Sequence, residues 1–213
     1  MLVHHIHDAL AQVKRLQALI LEKRLFRGYS GIARMAGGLV SLIGSLIMAS
    51  PRFSSLPSAH LLGWTAVLLI ALLINYGTLM FWFSNMPPAR RSLRKLVPAI
   101  DAVPPLAVGA GLSLALIMHG EYDLLIGTWM CLYGLVHMSY RKSLPFANYL
   151  VGLFYLACGA IMLVWPGVSF SNPIPMGLVF GAGELAGGFV LCRLNKETAL
   201  KQEEEIANEN HDC

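Results

Sequence analysis

Residues 97–142 read VPAIDAVPPLAVGAGLSLALIMHGEYDLLIGTWMCLYGLVHMSYRK. Two apolar stretches, about 97–118 and 122–140, flank a short polar turn, His119-Gly120-Glu121-Tyr122-Asp123. Each is close to the ~20 residues that an α-helix needs to cross a bilayer core. The segment predicts a helical hairpin through a membrane. A similar hairpin precedes it, at about 32–50 and 61–83, and another follows, at about 146–165 and 174–194. The expected fold is all-α: a six-transmembrane-helix bundle over residues 31–194.

The flanks differ from the spans. In residues 1–30, Ile6, Leu10, Val13, Leu16 and Ile20 fall at helical spacing, with Lys14, Arg15, Lys23, Arg24 and Arg27 around them. That pattern predicts an amphipathic helix on the cytosolic membrane face, or a partner helix. Residues 195–213 form an acidic tail with Glu203, Glu204 and Glu205 in a run, expected to be solvated and helical at most in part.

Composition agrees with a membrane protein. The chain of 213 residues is 56% apolar and 13% charged, against about 25% charged in soluble domains. Its net charge of +4 comes from short loops and forms no patch, so nucleic acid is not an expected partner. Cys131, Cys158 and Cys192 lie in predicted spans and Cys213 is the last residue; without a CxxC pair, neither a disulfide framework nor a zinc site is implied. The N-terminus lacks the pattern of a signal peptide, so the spans themselves are expected to direct insertion.

Orientation follows from the basic residues. Arg90, Arg91, Arg94 and Lys95 sit in the 84–96 loop, and Arg141 and Lys142 in the next loop on the same side. The three opposite connections contain only Arg52 among Lys and Arg. Basic short loops stay in the cytosol, so both termini are expected there; the expected location is a bacterial inner membrane. Arg34, at the start of the first span, is expected to reach the interface.

The hairpins share phrases. Gly44 precedes Pro51 by seven residues, and Gly159 precedes Pro166 by the same interval. Returning helices carry Tyr76-Gly77, Tyr133-Gly134 and Phe180-Gly181. Three copies of one hairpin would read this way. In the sixth span, Gly177 with Gly181 and Gly183 with Gly187 make two GxxxG pairs. They are candidates for a close helix interface, inside the chain or in a homo-oligomer.

This hairpin plan resembles the HdeD-like membrane proteins associated with acid resistance. The chain also resembles an uncharacterised bacterial six-helix family with a charged N-terminal helix. That likeness lies in Ser30-Gly31, Ala36-Gly37, Pro105 with Gly109, His119-Gly120 with Tyr122, Tyr133-Gly134-Leu135, the Tyr140 to Ser143 stretch, and Gly159 through Pro166-Gly167. It implies the six-helix architecture and no particular activity.

Few residues offer chemistry. Glu184 lies near the middle of the sixth span, where an ionised carboxylate is costly unless it is hydrogen-bonded, paired or wet. It is a proton or ion site, or a structural Glu bonded to Tyr133, Tyr155 or His137. Asp101, between Pro98 and Pro104-Pro105, is either part of an ion or solute site at a broken helix or an ion-pair partner of Arg94 and Lys95. His137 lies one turn after Tyr133. His60 and His119, at the outer ends of neighbouring spans, are the pair through which a haem would be held, although no cofactor is expected. No nucleophile elbow, P-loop, zinc signature or dinucleotide fingerprint is present, so the chain does not read as an enzyme. The expected function is a non-enzymatic interaction, sensing or envelope-stress protein, with the bilayer and a cytosolic partner at the termini as contacts. The alternatives are a small proton- or ion-linked transporter using Glu184 and Asp101, and a haem-binding redox subunit.

Overall fold

The structure, a computed structural model, describes residues 30–85, 100, 103–139, 141, 144 and 146–211. The N-terminal amphipathic stretch and Arg90, Arg91, Arg94, Lys95, Asp101 and Lys142 lie outside the described residues. The rest is all-α, with no strand among the described residues. Six helices follow in order: α1 (Gly31–Met48), α2 (Pro57–Ser84), α3 (Val103–Met118), α4 (Leu124–Ser139), α5 (Phe146–Val164) and α6 (Ile174–His211).

Four of these are long and apolar enough to cross a membrane: α1, α2, α5 and the Ile174–Glu197 part of α6. The helices α3 and α4 are apolar but shorter, at 16 residues each. Among the described residues the third covers Val103–Met118, and Ile100 before it is also helical. The sixth corrects the expectation for the tail. It runs 38 residues, through His211, so the acidic segment continues the helix. Its Glu- and Lys-rich sequence is made of good helix formers, and the long apolar helix before it supplies the nucleus.

Local chemistry sets the ends. The Ser30 hydroxyl accepts from the Ala33 N–H at 3.2 Å and caps α1. Pro57 opens α2 at a position suited to its fixed φ. At the end of α3, Gly120 takes φ +77°. There the Glu121 N–H reaches the Leu116 carbonyl at 2.8 Å and the Gly120 N–H reaches the Ile117 carbonyl at 3.1 Å. This is a Schellman ending, which requires the left-handed conformation that glycine adopts freely.

The helices form an open ring in the order α2–α1–α6–α5–α4–α3. The tightest pairings are α1 with α6 and α4 with α5, which join the third hairpin to the first and to the second and are not the hairpins themselves. Glycines account for both. A Cβ on Gly31 would lie 2.5 Å from the Gly188 carbonyl oxygen, and one on Gly134 would lie 2.8 Å from that of Gly152. Backbones come this close only where side chains are absent. The aromatic-glycine phrase marks these seams: Gly134 of α4 seats α5, and Gly181 of α6 seats Leu42 of α1. The third copy, Gly77 of α2, has no neighbouring atom within 4 Å among the described residues. It lies on one of the two helices that end the ring.

Three connections gather at one end. The Asp123 carboxylate accepts from the Phe170 N–H at 2.6 Å, and the Ser171 hydroxyl donates to the Ser55 carbonyl at 3.0 Å. These bonds link the α1–α2, α3–α4 and α5–α6 loops over a core of Met48, Trp64, Leu125, Ile126, Met130 and Phe170. The polarity of the bundle is inverted relative to a soluble protein. Large apolar side chains such as Leu62, Leu73, Phe81 and Phe189 are exposed, whereas Arg34 and Glu184 are buried. Such a surface suits lipid.

Candidate functional site

The polar residues inside the ring converge on Arg34. One turn into α1, its side chain is 5% exposed and points to the bundle interior, not to the membrane interface. The expectation that it reaches the interface is therefore corrected. Glycines of α6 make the room. A Cβ on Gly187 would collide with the Arg34 guanidinium, and one on Gly183 with the Tyr155 ring. Gly177 likewise meets Ser45 of α1. All four glycines of the two GxxxG pairs are thus occupied by neighbours within the chain.

Glu184 sits between those glycines and faces Arg34. The Arg34 Nε donates to Glu184 Oε2 at 2.9 Å and Nη2 donates to Oε1 at 3.3 Å, a two-pronged pair. Nη1 donates to the Asn148 side-chain oxygen at 2.6 Å. The Tyr155 hydroxyl, fully buried, donates to Glu184 Oε1 at 3.0 Å. His137 completes the set. Its Nδ1 faces the Tyr133 carbonyl at 2.9 Å and so donates, while its Nε2 accepts from Arg34 Nη2. With one ring nitrogen donating and the other accepting, the imidazole is neutral. The Asn148 amide returns to the His137 carbonyl at 3.2 Å. The network ties α1, α4, α5 and α6 together, and its charges cancel. Tyr133 lies against it edge-on, 4.6 Å from His137 and 5.1 Å from Tyr155 between ring centroids.

This network closes one end of a cavity of about 350 Å³ in the middle of the ring. Arg34, His137, Asn148 and Glu184 line that end. Residues of α2 from Leu61 to Tyr76 and of α3 from Leu106 to Ile117 contribute most of the apolar wall opposite. Ser41 and Trp64 also line it, and both carry a buried polar atom, Oγ and Nε1, with no hydrogen-bond partner among the described residues. The volume and the mostly apolar lining with few polar groups are those of a small-molecule site.

The other sequence candidates lie elsewhere. His60 is buried between Phe53 and Phe170, with Nδ1 near the Leu56 carbonyl at 3.3 Å and Nε2 without a partner among the described residues. His119 is exposed at the end of α3 and bonded to the Ala115 carbonyl. No contact joins the two histidines among the described residues. No group of three or more His, Cys, Asp or Glu is placed to hold a metal ion among the described residues. Arg141 is exposed, 5.2 Å over the Tyr149 ring. Sequence reasoning gave Glu184, His137, Tyr133 and Tyr155 but missed Asn148 and misplaced Arg34. The available signal was a pair of opposite charges inside apolar runs, each followed by small residues: Ala36-Gly37-Gly38 after Arg34 and Ala186-Gly187-Gly188 after Glu184.

No family model matches the chain, and no curated protein or solved structure does so either.

Proposed function

We propose that the chain is a six-span membrane protein of a bacterial inner membrane, with both termini in the cytosol, acting without catalysis as a ligand-responsive sensing or interaction protein. The observation that carries this is the central cavity, apolar along its walls and closed by the neutralised Arg34–Glu184 network. A ligand there touches five of the six helices at least, so its binding biases how they pack. The orientation is supported by the basic 84–96 and 141–142 segments and by the three linked loops at the opposite end. The resemblance to the HdeD-like proteins agrees with an envelope-stress role.

The test is native mass spectrometry of the full chain released from its own membranes in mild detergent. The expected result is a reproducible bound mass that is lost in Leu68→Trp, a variant that fills the cavity. A bare protein, or an adduct indifferent to that variant, would overturn the proposal. One observation favours the transporter alternative, namely that Glu184 lines the cavity. A cation there has to displace Arg34, and liposome flux that fails in Glu184→Gln but not in Leu68→Trp would favour that alternative.

A further inference from the structure

The cavity wall is specific about what it accepts. Its charged side chains, Arg34 and Glu184, are already paired, and His137 is neutral. A charged head group entering the cavity loses its hydration and finds no free counter-charge among the described residues. Several polar side chains of the wall are also committed. Thr65 donates to the Leu61 carbonyl, Ser113 donates to the Gly109 carbonyl, and Trp129 Nε1 donates to the Ser113 hydroxyl. Ser41 and Trp64 differ. They are 5% and 9% exposed, stand on the adjacent helices α1 and α2, and leave Oγ and Nε1 without partners among the described residues. An indole N–H only donates, so it calls for an acceptor; a hydroxyl can serve as either.

We infer that the cavity takes a neutral, largely apolar molecule bearing an accepting oxygen, a hydroxyl or carbonyl, held by the Trp64 N–H and the Ser41 hydroxyl. This rests on the cavity being a ligand site, and it adds the chemical class and the two residues that recognise it. Either a lipid dissolved in the bilayer or a small water-borne molecule supplies this chemistry.

The experiment uses the full chain in lipid nanodiscs and three diazirine probes with one alkyl chain in common: a primary alcohol, a carboxylate and a trimethylammonium. After photolysis, the labelled peptides are mapped. The expected result is saturable labelling of α1 and α2 cavity peptides by the alcohol, competed by an unlabelled methyl ketone of the same length, with neither charged probe labelling there. Ser41→Ala and Trp64→Phe each raise the half-saturating concentration roughly 3- to 10-fold, the effect of one hydrogen bond. Each variant is first checked for a monodisperse folded profile.

Equal or stronger labelling by a charged probe, or no shift in either variant, overturns the ligand class. Absence of saturable labelling by all three, or labelling unchanged in Leu68→Trp and Ala71→Leu, overturns the cavity as a ligand site. A short-chain, water-soluble alcohol separates the sources. Saturable labelling by it assigns a water-borne ligand, labelling by the long chain alone assigns a membrane-borne one, and either sustains the inference.

Discussion

Replacing Glu184 by Gln tests the network at its centre. The carboxylate accepts two hydrogen bonds from Arg34 and one from Tyr155. Glutamine keeps the shape, retains one accepting oxygen, and turns an NH₂ donor toward groups that are themselves donors. Arg34 is left buried without its counter-charge. Removing one partner of a buried ion pair costs about 3–5 kcal/mol, while the Tyr155 hydroxyl keeps an acceptor in the Phe180 carbonyl at 3.2 Å. Arg34→Met exposes the carboxylate to the same penalty. The double variant strands neither charge, so its cost falls short of the sum by roughly 2 kcal/mol or more. Equilibrium unfolding in mixed non-ionic and anionic micelles, followed by tryptophan fluorescence, measures all three. A Glu184→Gln cost under about 1 kcal/mol, or a double variant that is simply additive, would refute the reasoning.

Other outcomes follow from particular contacts. In Gly159→Ala the new Cβ lies 2.6 Å from Cys131 Sγ and 2.7 Å from Cys131 N, so α4 and α5 must separate; the same assay should show a loss of about 1–3 kcal/mol. Gly111→Ala, with nothing within 4 Å among the described residues, should be neutral or stabilising by up to about 1 kcal/mol. Asp123→Ala removes the acceptor for the buried Phe170 N–H and should cost about 1–3 kcal/mol, with Asp123→Asn, which keeps an acceptor, costing less. Single cysteines at Ser54, Glu121 and Ser169 in a cysteine-free background should react with an impermeant maleimide from the periplasmic side, and one at Lys196 only after the membrane is opened.

The helices were legible because hydropathy needs only runs of apolar residues: each of the six predicted runs contains a helix, and four of these are long and apolar enough to cross a membrane. What lay beyond hydropathy was read less well. The charges of the tail argue for solvent and for helix at most in part, yet Glu, Lys, Ala and Leu are good helix formers attached to an existing helix, which runs through His211. Arg34 was placed at the interface because a basic residue near the end of an apolar run usually snorkels. Its true position depends on Gly187 and Glu184, 150 or more residues away in sequence, and only the fold brings them together. The glycine phrases were visible, but not which helices they join. Gly134 and Gly181 seat α5 and α1 across hairpins, while Gly77 carries the same phrase and seats no atom among the described residues.

The network that closes the cavity depends most on Arg34 lying inside the ring against Glu184. Solid-state NMR of the protein in lipid bilayers, with arginine labelled in the guanidinium nitrogens and glutamate in the carboxylate carbon, measures that proximity directly. The expected result is a carbon–nitrogen dipolar coupling of the strength required by the 2.9 Å contact between Arg34 Nε and Glu184 Oε2, present in the native chain and reduced in Glu184→Gln to the contribution of the exposed Arg193–Glu197 pair at 3.3 Å. A coupling unchanged by that substitution, or none at all, would contradict it.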